Sequence, residues 1–249
     1  MNNYAVEVDH VSMKFNINKE GVDNAKEYFV RLVKHQLHFL EFWALKDISF
    51  KVEKGDRVGI LGFNGAGKST LLKVIAGVLK PTQGSVRVEG VVAPMLELGA
   101  GFDGNYSGRE NVFLYAATMG FSRKFIEKKY DEIVEFAELE DFIDAPLKSY
   151  SSGMRARLGF AIATAVKPDV LILDEVLSVG DAAFRAKSQK RIESMMGDGV
   201  TVLYVSHSTD KVEEICNKAI ILDHGQMIAA GNSIEISKIY QSMTVNKQP

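Results

Sequence analysis

The run Gly62-Phe63-Asn64-Gly65-Ala66-Gly67-Lys68-Ser69-Thr70 places glycines, one lysine and two hydroxyls in a single short stretch. Before it stands the apolar run Arg57–Leu61, read as a strand. After it comes Lys68–Val78, read as a helix that closes at Leu79-Lys80-Pro81. This is the pattern of a phosphate-binding loop in its proper setting between strand and helix. Glycines let backbone N–H groups curl round a polyphosphate, and the helix N-terminus adds partial positive charge. Lys68 can reach β- and γ-phosphates, and the Ser69 hydroxyl can ligate Mg²⁺.

A second chemical run is Val170-Leu171-Ile172-Leu173-Asp174-Glu175, an apolar strand ending in two adjacent carboxylates. Asp174 is expected beside the phosphate loop, holding Mg²⁺ directly or through water. Glu175 is expected to polarise the attacking water. A strand ending in Asp-Glu says little alone, but behind a phosphate loop it points to a nucleoside triphosphatase. The type is narrowed by Tyr150-Ser151-Ser152-Gly153-Met154-Arg155, which lies upstream of Asp174 and starts a helix. Alone it would read as an N-cap serine with a turn glycine.

Buried strands and helices must alternate to position these groups. Val170–Leu173 and Thr201–Ser206 are apolar enough for a parallel sheet covered on both faces. Helical spacing marks Arg123–Leu139 and Met154–Ala165, the latter stopping before Lys167-Pro168. Tyr4–Val8, Ile48–Val52, Ser85–Glu89 and Val91–Leu96 read as strands. Ala219–Leu222 and Met227–Ala229, split by His224-Gly225, read as a hairpin. This alternation predicts an α/β domain. The stretch from about Gly99 lacks buried strands and predicts an inserted helical subdomain, about 99–165 with the Ser151 turn included. Between the first two strands, apolar residues from Ala25 to Leu40 recur at helical spacing and lead into Phe39, Leu40, Phe42 and Trp43. A helical insert is therefore expected over about residues 16–43. Its apolar face either packs on the chain's own sheet or lies at a membrane surface, where aromatic residues are favoured.

The 249 residues are 46% hydrophobic and 25% charged, ordinary values for a chain with a sizeable core. A net charge of −2 gives no electrostatic argument for nucleic acid, though a local basic patch stays open, and no nucleic-acid partner is expected. The single cysteine, Cys216, excludes an intrachain disulfide and fits the cytosol. No stretch reaches the roughly 18 apolar residues of a membrane span, and the N-terminus shows no signal peptide. Any membrane role is expected to be peripheral, through a partner.

Together these motifs resemble the ATP-binding cassette (ABC) family. Its signature is usually Leu-Ser-Gly-Gly-Gln. This sequence keeps Ser151 and Gly153 but carries Tyr150, Ser152 and Met154 at the other positions. The resemblance implies a phosphate-loop NTPase fold: one nucleotide-binding domain over 1–249, with an inserted helical subdomain and an N-terminal antiparallel β part. It implies that Ser151 and Gly153 cap the γ-phosphate held by a second copy, and that Ser178-Val179-Gly180-Asp181 crosses the dimer interface with Asp181 as its acid. It also implies that His207 contacts the γ-phosphate and holds Glu175 or the water. An upstream aromatic residue should stack on adenine; Phe15 is the candidate, with Tyr4 and Trp43 behind it. The family's Mg²⁺-sensing glutamine is replaced here by Glu97, which is expected near the metal.

The wording of Leu96–Phe102, Tyr150–Leu158 and Asp174–Asp181 is similar to ATPase subunits of bacterial exporters for teichoic acid, O-antigen and capsular polysaccharide. That resemblance implies a homodimer with two ATP and Mg²⁺, bound at the cytoplasmic face of the membrane to separate permease subunits that carry a lipid-linked glycan. A carbohydrate-binding domain is not expected after the helix-like Ile234–Met243. The alternatives are the ATPase of a transporter for another solute, or a soluble regulatory or ribosome-associated ABC ATPase.

Overall fold

Alternating apolar and polar residues pair β1 (Tyr4–Asn18) and β2 (Phe39–Glu53) as a long antiparallel ladder, from Tyr4 opposite Glu53 to Asn18 opposite Phe39. The computed structural model describes residues 3–18, 39–96, 98–174, 180–197 and 199–246. Val6, Val8, Val11 and Met13 turn inward from β1, with the phase corrected at an irregularity near His10 and Asp47, both at positive φ. β4 (Gln83–Val88) pairs with the other edge of β1, giving a three-stranded sheet.

The second sheet has six strands in the order β5-β6-β7-β3-β8-β9. They are β3 (Arg57–Gly62), β5 (Val92–Met95), β6 (Val170–Asp174), β7 (Thr201–Val205), β8 (Lys218–Asp223) and β9 (Gln226–Asn232). All neighbours are parallel except β8 and β9. Each face of this sheet has its own core, because successive side chains point to opposite sides. Ile172 and Leu203 pack with α1 (Lys68–Ile75) and the three-stranded sheet. Leu171, Leu173 and Val202 face the other way. There they meet Met195 of α5 (Ala182–Met195), Val212 of α6 (Thr209–Ile215), and Ile236 and Tyr240 of α7 (Ser233–Asn246).

Between β5 and β6 the chain forms α2 (Gly108–Thr118), α3 (Arg123–Ala137) and α4 (Ser152–Ala163) around a third core. Side chains cap all three helices. Ser107 and Glu110 form a reciprocal capping box at α2, Ser122 caps α3, and Ser151 caps α4. Each such cap typically contributes about 1 kcal/mol.

The insert expected over about 16–43 has strands at both ends. Residues 16–18 belong to β1 and residues 39–43 to β2. The helical run read to Leu40 therefore ends too late. Leu40, Phe42 and Ala44 alternate with Glu41, Trp43 and Leu45, a period of two, and the ladder with β1 supplies their backbone hydrogen bonds. The rest of that insert lies outside the described residues.

Candidate functional site

The loop after β3 turns sharply at Gly67, whose φ is 102°. A Cβ there would come within 2.6 Å of the Ala44 carbonyl oxygen, so glycine is required for both space and backbone conformation. Gly67 also stands at the N-cap of α1, where no side chain caps the helix. Its neighbours pin the loop from outside: Gly225 N–H donates to Ala66 O at 3.0 Å, and Lys46 N–H donates to Gly225 O at 2.7 Å. Lys68 is 7% exposed and folds over the loop, donating to the carbonyls of Gly62 and Phe63 at 2.6 and 3.0 Å.

Residues Asn64 through Thr70 line a cavity of about 320 Å³. The sheet brings two more functional groups to it. Asp174 ends β6 opposite Val205 of β7, and His207 follows β7 by two residues, so both side chains reach the same wall. Parallel strands whose C-terminal ends lie together form such a crevice without help from distant loops. Glu175, the expected water-orienting group, and Glu97, the expected metal sensor, lie outside the described residues, as do Ser178 and Val179.

Phe42 also lines this cavity and is 47% exposed. Phe15 lies directly opposite it in the β1–β2 ladder but is half-buried against the first core and is not on the cavity wall. Trp43 is paired with Lys14, whose ammonium lies 5.7 Å from the indole centroid. Phe42 was hidden in the sequence because Phe39, Leu40 and Phe42 extend an apparently helical pattern. The period-two run Leu40, Phe42, Ala44 was the signal that could have found it.

Ser151 and Gly153 lie elsewhere. The Ser151 Oγ accepts the Met154 N–H at 3.2 Å and caps α4, with Gly153 in the first turn. Both line a second cavity of about 750 Å³, shared with Asp181, Gly180, Arg157 and Asp174. Asp174 thus borders both cavities, but Ser151 and Gly153 do not reach the phosphate loop of their own chain. Tyr150, where the resemblance led to an expected leucine, is buried. Its hydroxyl donates to Phe142 O at 2.6 Å, and burial pushes its ionisation up to about 12. It therefore anchors the turn as a neutral phenol. At Asp181 the Phe184 N–H, and then the Arg157 guanidinium, hold the carboxyl below the ordinary aspartate range. It is anionic at neutral pH.

The Ser69 hydroxyl and the Asp174 carboxylate line one cavity with Lys68, and hard oxygen donors of this kind suit Mg²⁺. Among the described residues, no cluster of three or more His, Cys, Asp or Glu could hold a metal by itself. A two-donor site fits an ion that shares its shell with phosphate and water.

A phosphate loop joined to the carboxyl ends of a mostly parallel sheet, with a helical region between β5 and β6, defines a nucleotide-binding α/β ATPase. Residues 45–178 match the family model described as ABC transporter, and the chain belongs to that family. It is 47% identical over 201 residues to the O-antigen export system ATP-binding protein RfbB of Klebsiella pneumoniae, covering 81% of this chain and 82% of that protein. With the teichoic acids export ATP-binding protein TagH of Listeria monocytogenes serotype 4b it shares 39% identity over 249 residues, 99% of this chain and 73% of TagH. Its fold matches an ATP-binding cassette solved as a dimer in a post-hydrolysis state with ADP and Pi. The TM-score is 0.66 at 21% identity, covering 92% of this chain and 98% of the other. The chain binds and hydrolyses ATP as a cassette of this family. Among the described residues, no helix is long and apolar enough to cross a membrane.

Proposed function

We propose that this chain is the ATP-hydrolysing subunit of an exporter that carries a lipid-linked polysaccharide or teichoic acid across the cytoplasmic membrane. It works as a homodimer at the cytoplasmic face, bound to separate permease subunits. The observation that carries the dimer is the separation of the two halves of the site: the phosphate loop, Asp174 and His207 share one cavity, while Ser151 and Gly153 open on another. Two copies placed head to tail bring each loop against the other copy's signature turn. Export of a glycan is supported by the names of the relatives, an O-antigen and a teichoic acid export ATP-binding protein.

In this mechanism the backbone N–H groups of Gly65 to Ser69 and the Lys68 ammonium hold the β- and γ-phosphates and neutralise charge as the terminal P–O bond breaks. Ser69 and Asp174 would hold Mg²⁺, which supplies further charge neutralisation to the phosphate oxygens. Glu97 stands in the place of the family's metal-sensing glutamine. Glu175 accepts a hydrogen bond from the attacking water and aligns it with the phosphorus. His207 keeps the γ-phosphate and the water in register. Ser151 and Gly153 of the partner close the site with a hydroxyl and a helix N-terminus directed at the γ-phosphate. Phe42, on the cavity wall, supplies the aromatic face for adenine in place of Phe15, its partner in the β1–β2 ladder.

Depletion tests the transport reading. Lipid-linked glycan should accumulate inside the cell while surface glycan is lost, both measured on the same culture. Normal surface glycan, with a defect in small-solute uptake or ribosome function instead, overturns export and leaves the ATPase intact.

A further inference from the structure

Outside the nucleotide cavity, charged groups from three separate stretches converge on a cluster of aromatic rings. Phe136 of α3, Phe160 of α4 and Phe184 of α5 pack with ring centroids 5.7 to 6.2 Å apart. Phe160 and Phe184 are fully buried, so α3, α4 and α5 share one core at this point. Cations cover its edge. The Arg157 guanidinium lies 4.8 Å from the Phe184 centroid, and Lys187 and Arg191 each lie 4.6 Å from that of Phe136.

Arg157 is the hub of the ionic links. One arm binds Glu138, the left-handed C-cap of α3, at 2.9 Å, and the other binds Asp181, the N-cap of α5. Glu138 also accepts from Lys187 at 3.0 Å, which closes the circuit back to α5. The Arg157 side chain is only 19% exposed, against 50% for Glu138 and 60% for Asp181. It is therefore held in place more firmly than an ordinary surface cation. Gly180, at φ 72°, lets the chain pass this close: a Cβ there would stand 3.3 Å from Arg157 Nε and 3.1 Å from Phe184 Cβ. The planar guanidinium fork holds two carboxylates in a fixed geometry that the single ammonium of a lysine does not reproduce.

We infer that Arg157 is a positioning residue that fixes Asp181 to the signature helix α4, so that Ser151 and Asp181 present one rigid surface to the partner subunit. The inference rests on the reading that these two residues act across a dimer interface. Arg157 is not on the wall of its own chain's phosphate-loop cavity. It acts on closure, because a loosened Asp181 leaves two halves of the contact surface to be ordered when the dimer forms.

The test is made in a Glu175→Gln background, where ATP-bound dimers should persist long enough for sedimentation analysis. Arg157→Gln should leave ATP affinity of the monomer unchanged and weaken ATP-driven dimer assembly about tenfold, the size of losses along such coupled networks. Without the Glu175 change, it should lower kcat and leave KM for ATP unchanged. Arg157→Lys, which keeps the cation over Phe184 but not the fork, should restore only part of the assembly. Glu138→Gln combined with Arg157→Gln should cost less than the sum of the two, as for partners in one network. Assembly of Arg157→Gln at the parent's protein and ATP concentrations overturns the inference, as does an equal loss of monomer ATP affinity. If the Glu175→Gln parent itself fails to dimerise with ATP, the composite-site reading falls, and this inference falls with it.

Discussion

The phosphate loop and the signature turn are both glycine-containing starts of helices, yet their surroundings differ. At α1 the N-cap is Gly67, with no side chain to accept the first N–H groups. At α4 the N-cap is Ser151, whose own oxygen takes the Met154 N–H. Orphan N–H groups at a helix start need an external acceptor, and an anion is the most favourable one. The first helix start is thus built to be completed by phosphate from within its own chain's cavity. At the second, Ser151 serves one of these N–H groups itself, and in the proposed dimer the turn meets the nucleotide of the other copy. In the proposed dimer, one region is chemically incomplete without ligand, the other geometrically incomplete without a partner.

The strongest way to break this contrast is to damage each side separately. Glu175→Gln should retain ATP binding, reduce hydrolysis by roughly a hundredfold or more, as losses of positioned catalytic groups do, and trap an ATP-bound dimer. Ser151→Arg should also abolish turnover, but by preventing closure while the monomer still binds ATP. Phosphate release and sedimentation with ATP distinguish the two. Fully active Ser151→Arg homodimers would show that the signature turn does not serve the partner's site.

The same contrast explains what could be read from sequence. The loop, the strand ending at Asp174 and the Ser151 turn are local patterns, because each carries its chemistry within a few consecutive residues. The buried strands Val170–Leu173 and Thr201–Val205 were equally legible, since both faces of that sheet are covered. Phe42 was not, because an apolar run of Phe39, Leu40 and Phe42 satisfies helix and strand periods alike, and only the ladder with β1 decides between them. Arg157, Glu138 and Lys187 were invisible as a group for another reason. They come from three stretches whose meeting depends on how α3, α4 and α5 pack.

Phe42 and Phe15 sharpen the comparison within the nucleotide cavity itself. They are ladder partners, but only Phe42 faces the cavity. Phe42→Ala should weaken ATP binding by about tenfold, consistent with roughly 1–3 kcal/mol for a base stacked on an aromatic ring, with little change in unfolding. Phe15→Ala should instead lower stability, because Phe15 packs on the first core. Equilibrium nucleotide titration and urea unfolding of both variants separate the roles. Loss of affinity in Phe15→Ala alone would return the adenine platform to Phe15.

The smallest expected effect on activity lies outside both cavities, at the base of the sheet that holds them. Asp56 is 7% exposed and joins the β2–β3 turn to the start of β8. Burial pushes its carboxyl up, but hydrogen bonds from Lys218 at 2.8 Å and Asn217 at 2.9 Å outweigh this and hold it below the ordinary range. A carboxyl lowered in the native state adds stability above its unfolded value, about 3.9, and loses it as pH falls through the native value. The orientation of Asn217 is fixed, because its carbonyl oxygen accepts the Arg57 N–H at 2.8 Å and its amide therefore faces Asp56. In Asp56→Asn the new oxygen can serve Asn217, which leaves the new amide donors against the Lys218 ammonium and the Glu53 N–H. The substitution should cost about 1–3 kcal/mol at pH 7, as for a lost hydrogen bond to a charged group. Urea midpoints taken from pH 7 down through pH 3, written as unfolding free energies, should then show the gap between parent and variant closing in acid. A gap that stays constant over that range would mean that the carboxylate charge contributes nothing and that shape alone holds this corner. ATPase activity per folded molecule should be unchanged at pH 7, because neither cavity includes Asp56.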